Sequence, residues 1–67
     1  MISYKPLWET MDRKGATTYT LRKDGTVSSS SVRRLKENES VSTNTLDAIC
    51  KILNCDLQDI ARYEKEQ

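Results

Sequence analysis

The stretch from Ser42 to Asn54 limits what this chain can become more than any other. Leu46, Ile49, Cys50 and Leu53 fall at i, i+3, i+4 and i+7, the full template of an amphipathic α-helix. Ser42 is placed to cap its start, and Asn54 to end it in a left-handed conformation. Such a stripe needs other elements to bury it. With 67 residues in all, the chain makes one small domain, marginally stable unless its helices pack well or it dimerises.

The remainder divides into more short helices. Pro6 suits a first helical turn, Tyr4, Leu7, Trp8 and Met11 follow at helical spacing, and Gly15 stops that helix after Arg13 and Lys14. Trp8 reads as core, since a lone tryptophan on an apolar stripe usually packs. Thr17 can cap a second helix from Thr18 to about Lys23, anchored by Leu21. Asp24-Gly25 is a turn dipeptide. Beyond Asn54, Asp56 opens a last helix with Asp59 three residues on and Leu57, Ile60 and Ala61 as its buried face. No strand pattern and no internal repeat is visible. The spacing predicts an all-α chain of five short helices, one domain over residues 1–67, with a polar and fraying tail from about 62 to 67.

The segment between Gly25 and Asn38 carries the functional signal. Ser28 is a good N-cap, and Val27, Val32 and Leu35 supply an apolar stripe. The other face presents Ser29, Ser30, Arg33, Arg34 and Lys36. Small hydroxyls let a helix approach DNA closely, and guanidinium groups suit phosphate oxygens or guanine edges. A solvated polar face without function is the plain alternative. Three or four residues separate this helix from the second, which is helix-turn-helix spacing.

Charge distribution points the same way. The net charge is only +1. Residues 1–36, however, hold eight Lys or Arg against three acids, and residues 37–67 hold three against seven. The resulting +5 and −4 halves would steer a polyanion to the face with the exposed serine–arginine helix.

Several function classes are disfavoured. The longest apolar runs are three residues, too short for a membrane span, and the N-terminus lacks the apolar core of a signal peptide. Without histidine, the usual general base and a common zinc ligand are both missing. Ser28–Ser31 offer hydroxyls with no activating partner. Cys50 and Cys55 fit core packing in a reduced, cytoplasmic protein better than a disulfide or metal site. Asp56 and Asp59 are explained by capping. No cofactor, metal, small-molecule ligand or catalytic residue is expected.

In combination these residues resemble the Cro/C1-type (XRE, lambda-repressor-like) helix-turn-helix proteins. The resemblance spans roughly residues 4–61. It rests on the capped short helix, the turn, the Ser-rich helix and the run Val-Ser-x-x-Thr-Leu-x-x-Ile-x-x-x-Leu-x-Cys-x-Leu-x-Asp-Ile from Val41. It is nearest to small stand-alone bacterial members that begin Tyr-Lys-Pro-Leu-Trp, as residues 4–8 do. The resemblance implies a DNA-binding unit made by the second and third helices, in a bacterial or phage regulator of transcription. Base-contacting roles would fall on Ser29, Ser30 and Arg34, and phosphate contacts on Thr18, Arg33, Lys36 and Asn38. The partner would be double-stranded DNA, bound by a homodimer at a palindromic site.

Two departures from the family pattern stand out. Arg22 follows the second-helix leucine where a small residue is usual, so it must snorkel outward or push the helices apart. The turn glycine of the family would fall at Thr26, whereas this chain has Gly25. Gly25 is then expected to take the positive-φ position in a reshaped turn. Both departures also suit a second reading, a protein-interaction module of antitoxin or anti-repressor type on a helix-turn-helix scaffold.

Overall fold

Four α-helices form where the caps and apolar spacings place them. The computed structural model describes residues 1–65, in the order β1 (Ile2–Ser3), α1 (Lys5–Lys14), α2 (Thr18–Arg22), α3 (Ser29–Lys36), α4 (Thr43–Leu53), a 3-10 turn (Leu57–Asp59) and β2 (Arg62–Tyr63). Glu66 and Gln67, the end of the expected tail, lie outside the described residues.

The start and stop signals act as their chemistry demands. The Ser28 and Ser42 hydroxyls accept the backbone N–H groups of Ser31 and Thr45, each at 3.1 Å, satisfying donors that the first helical turn leaves unpaired. At α2 the Thr17 N–H donates to the Thr20 hydroxyl at 3.1 Å. Gly15 closes α1 at φ 68, and Asn54 closes α4 at φ 52. Asn38, at φ 55, is the left-handed residue just past α3.

The core is one cluster fed by every helix. Leu7 from α1, Leu21 from α2, Val27 from the turn, Leu35 from α3, Ile49 from α4 and Ile60 are fully buried. Trp8 is half-buried and packs against this cluster from its edge. Cys50 and Cys55 are half-buried free thiols. Burial pushes the Cys55 thiol above its ordinary range, helped by the neighbouring Cys50.

Three expectations need correction. The fifth helix is a single 3-10 turn, although Asp56 and Asp59 do cap it: the Asp56 N–H donates to the Asp59 carboxylate at 3.0 Å. It cannot lengthen because the chain that would extend it is drawn into β2. Leu57, expected to be buried, is 55% exposed, since a 3-10 turn turns it away from the side that buries Ile60. The chain also contains strands. Ile2 pairs with Tyr63 and Ser3 with Arg62, antiparallel, so residues 62–63 of the expected tail are structured. The terminal amine donates to the Glu64 carbonyl at 2.6 Å and Glu64 N–H to the Met1 carbonyl at 2.8 Å.

Side chains then tie the elements together. The buried Thr10 hydroxyl donates to the Asp59 carbonyl at 2.6 Å, fastening α1 to the 3-10 turn. The Tyr4 N–H donates to the Asn38 side-chain oxygen at 3.0 Å, and the Tyr4 hydroxyl to the Glu39 carbonyl at 3.2 Å. The chain leaving α3 is thereby pinned to the start of α1.

Candidate nucleic-acid interface

The turn between α2 and α3 sets the angle at which α3 is shown to solvent. Gly25 adopts φ 79, and Thr26 is spared the left-handed region. The Asp24 carboxylate accepts the Thr26 N–H at 3.0 Å and also the Thr26 hydroxyl. These two bonds hold the Asp24 carboxyl below its ordinary range. The connection is longer than the three or four residues expected: α2 ends at Arg22 and α3 begins at Ser29, so residues 23–28 form the turn, with Gly25 at its positive-φ position and Thr26 clasped by Asp24.

Helix α3 buries Val32 and Leu35, and the 3.6-residue period puts Ser30, Arg33, Arg34 and Glu37 opposite them. Ser29 and Lys36 fall on the flank that faces α2. There a groove of about 270 Å³ is lined by Thr18, Arg22, Ser29, Val32, Arg33 and Lys36. Three cationic groups and two hydroxyls thus converge on one concave surface, a composition suited to phosphate oxygens. Arg22 resolves its departure from the family pattern by pointing outward: it is exposed and forms part of this groove.

The residues singled out from sequence therefore fall into three places. Thr18, Ser29, Arg33 and Lys36 share the groove. Ser30 and Arg34 lie on the outer face of α3, where the Arg34 guanidinium leans on the Ser40 carbonyl at 3.5 Å and the Ser30 and Ser28 hydroxyls are 3.1 Å apart. Asn38 sits apart from both groups, its side-chain oxygen engaged with the Tyr4 N–H.

Two carboxylates missed by the sequence reading bear directly on this surface. The Arg33 guanidinium is 2.9 Å from the Glu37 carboxylate and 3.8 Å from that of Glu39. All three side chains are about half exposed, so the cluster is a solvated one that phosphate can compete with. The i, i+4 spacing of Arg33 and Glu37 was visible in the sequence; the approach of Glu39 depends on the bend after α3. Tyr19, on α2, is 68% exposed and had no sequence signal beyond its position.

A short helix, a tight turn and a second helix offering cationic and hydroxyl groups define a helix-turn-helix DNA-binding domain. The chain belongs to the Cro/C1-type HTH DNA-binding domain family, whose profile matches residues 6–66. It is similar to the crystal structure of the transcriptional regulator VanUg at 38% identity and a TM-score of 0.87, the match covering 97% of this chain and 87% of that one. No curated protein matches the chain. Among the described residues no helix is long and apolar enough to cross a membrane.

Proposed function

We propose that the chain, acting as a single domain over residues 1–67, binds double-stranded DNA sequence-specifically as a regulator of transcription. The observation that carries this reading is the α2–α3 groove, in which Thr18, Arg22, Ser29, Arg33 and Lys36 converge. Family membership and the likeness to a transcriptional regulator support it. Helix α3 enters the major groove, Arg34 reads a base edge such as guanine O6 and N7, and Ser29 and Ser30 add short hydrogen bonds. Thr18, Arg33 and Lys36, joined by Arg22, fix the register on phosphates, with Asn38 contributing through its side-chain amide N–H groups. One short helix reads only about four or five base pairs, so binding is by a homodimer on a palindrome with half-sites about one helical turn apart. The function is binding without a chemical step, in the cytoplasm, where Cys50 and Cys55 stay reduced.

A second reading, an antitoxin or anti-repressor module, is favoured by one feature, the capture of Arg33 by Glu37 and Glu39. Selection from a random duplex library at near-physiological salt, wild type beside an Arg33→Ala/Arg34→Ala double variant, separates the two. A palindromic motif enriched by the wild type alone is the expected result. Absence of any enriched motif would place the interaction module first.

A further inference from the structure

Cys50 lies in the last turns of α4 and Cys55 just beyond its end, and the chain has no third cysteine. Their sequence spacing suggests core packing alone. The end of the helix folds them onto one another. Asn54, at φ 52 and ψ 57, reverses the chain in the left-handed region. The Cys55 N–H then donates to the Cys50 carbonyl at 3.1 Å, and the Asn54 N–H to the Lys51 carbonyl at 3.4 Å. In a helix ending built on this pair of bonds, the side chains at the two ends of the outer bond meet. Here those side chains are both thiols, each free and half-buried. Cys55 senses Cys50 as a charge and as a hydrogen-bonding neighbour.

We infer that Cys50 and Cys55 close a reversible disulfide within the chain, a covalent clasp at the end of α4. A disulfide needs α-carbons about 4.4–6.8 Å apart, and a direct backbone hydrogen bond around one turn holds two residues in that range. Cys50 also borders an open hollow of about 250 Å³ with Thr43, Leu46, Asp47 and Leu57, so a small reagent reaches it first.

The co-reactant is a low-molecular-weight disulfide. The Cys50 sulfur, as thiolate, attacks one of its sulfurs, breaks its S–S bond and releases one small thiol, which takes up the proton that Cys50 gave. The Cys55 sulfur then loses its proton and attacks the Cys50 sulfur, expelling the second small thiol. Two protein thiols are oxidised to one disulfide, and one small disulfide is reduced to two thiols. Burial, Cys50 and Asp59 disfavour the Cys55 thiolate against the weaker pull of Lys14. The second step is therefore the slow one, and the pair rests reduced in a reducing compartment.

The place of the clasp sets its effect. A closed bond limits the unfolded chain and fixes the left-handed end of α4. The segment after Cys55 runs into the 3-10 turn that the Thr10 hydroxyl fastens to α1 at 2.6 Å. None of the residues lining the α2–α3 groove takes part, so the inference stands apart from the DNA reading.

The test uses the full chain as wild type, Cys50→Ala and Cys55→Ala, each reduced or equilibrated with oxidised glutathione at mildly alkaline pH. Trypsin cuts after Lys51, between the two cysteines, so an internal bond appears in mass spectra as joined peptides 37–51 and 52–62. The wild type is expected to lose two hydrogens, to yield that joined pair and to melt roughly 5 °C or more above its reduced form by circular dichroism. Each single variant should keep one glutathione and show no such rise. At a fixed ratio of reduced to oxidised glutathione, the proportion of disulfide to dithiol should be at least about tenfold higher in the native chain than in urea. A proportion equal to or below the unfolded one overturns the proposal. A native chain that ends with glutathione on both cysteines, or with cysteines joined between chains, overturns it as well. The comparison of native with unfolded wild type needs no variant, so it decides the matter even where an alanine chain does not fold.

Discussion

Arg34 and Arg33 are one residue apart on α3, yet their surroundings differ, and the proposed function gives them different roles. Arg34 stands on the outer face with a single long contact to the Ser40 carbonyl, so little holds it back from a base edge. Replacing it by alanine is expected to weaken specific binding by about 1–3 kcal/mol and to relax one position of the site. Competition binding against single-base variants of the site checks this, and equal weakening on every sequence would reassign Arg34 to a phosphate. Arg33 is instead held by Glu37 and Glu39. On the proposed reading those carboxylates would compete with phosphate for it and repel a DNA backbone brought up to α3. A Glu37→Gln/Glu39→Gln variant should therefore bind all duplexes several-fold more tightly, with the salt dependence steeper by about one released ion. Titrations across ionic strength read both effects; an affinity that falls at a single base pair would mean that Glu37 accepts from cytosine instead.

At the level of elements, the turn joining α2 and α3 matters most, because α3 can be no better aimed than its connection allows. The Asp24 carboxylate is held in its charged form by the hydroxyl and N–H of Thr26. A carboxyl whose value is lowered on folding contributes stability that is present above its ordinary value of 3.8 and is lost as pH falls through the lowered one. Acidification below that point should loosen the turn before it melts the core. The Thr26 amide resonance and its exchange rate would follow this titration by NMR. A Thr26 amide that stays protected down to the pH of global unfolding would show that Gly25 alone holds the turn. The cysteines illustrate the opposite direction: burial raises the Cys55 thiol, which favours its protonated form.

For the molecule as a whole, the limiting quantity is core size. A domain of 67 residues has about 3–10 kcal/mol of stability at typical values per residue. Leu35 is fully buried and joins α3 to the core, and truncating such a leucine to alanine costs about 2–5 kcal/mol. Leu35→Ala should therefore consume much of the total and melt far below the wild type in a thermal circular dichroism scan. A loss under about 1 kcal/mol would mean that α3 is not keyed into the core in this way.

The sequence by itself determined the helices, because their signals are local. Ser28 and Ser42 cap through hydroxyls within three residues of their targets, Gly15 and Asn54 reach left-handed conformations at little cost, and the stripe of α4 follows from periodicity. The helix-turn-helix unit and the positive φ of Gly25 were legible for the same reason. Only the tertiary structure decided what depends on distant partners. The β1–β2 pair joins residues about sixty apart and is too short for any alternating pattern. The 3-10 turn ends because that pairing claims its continuation, which leaves Leu57 in solvent. Asn38 meets Tyr4 across 34 positions, and Arg33 meets Glu39 around a bend whose direction α1 sets. Local chemistry chose the elements; contacts between residues far apart in the chain chose which of their side chains remain free to bind.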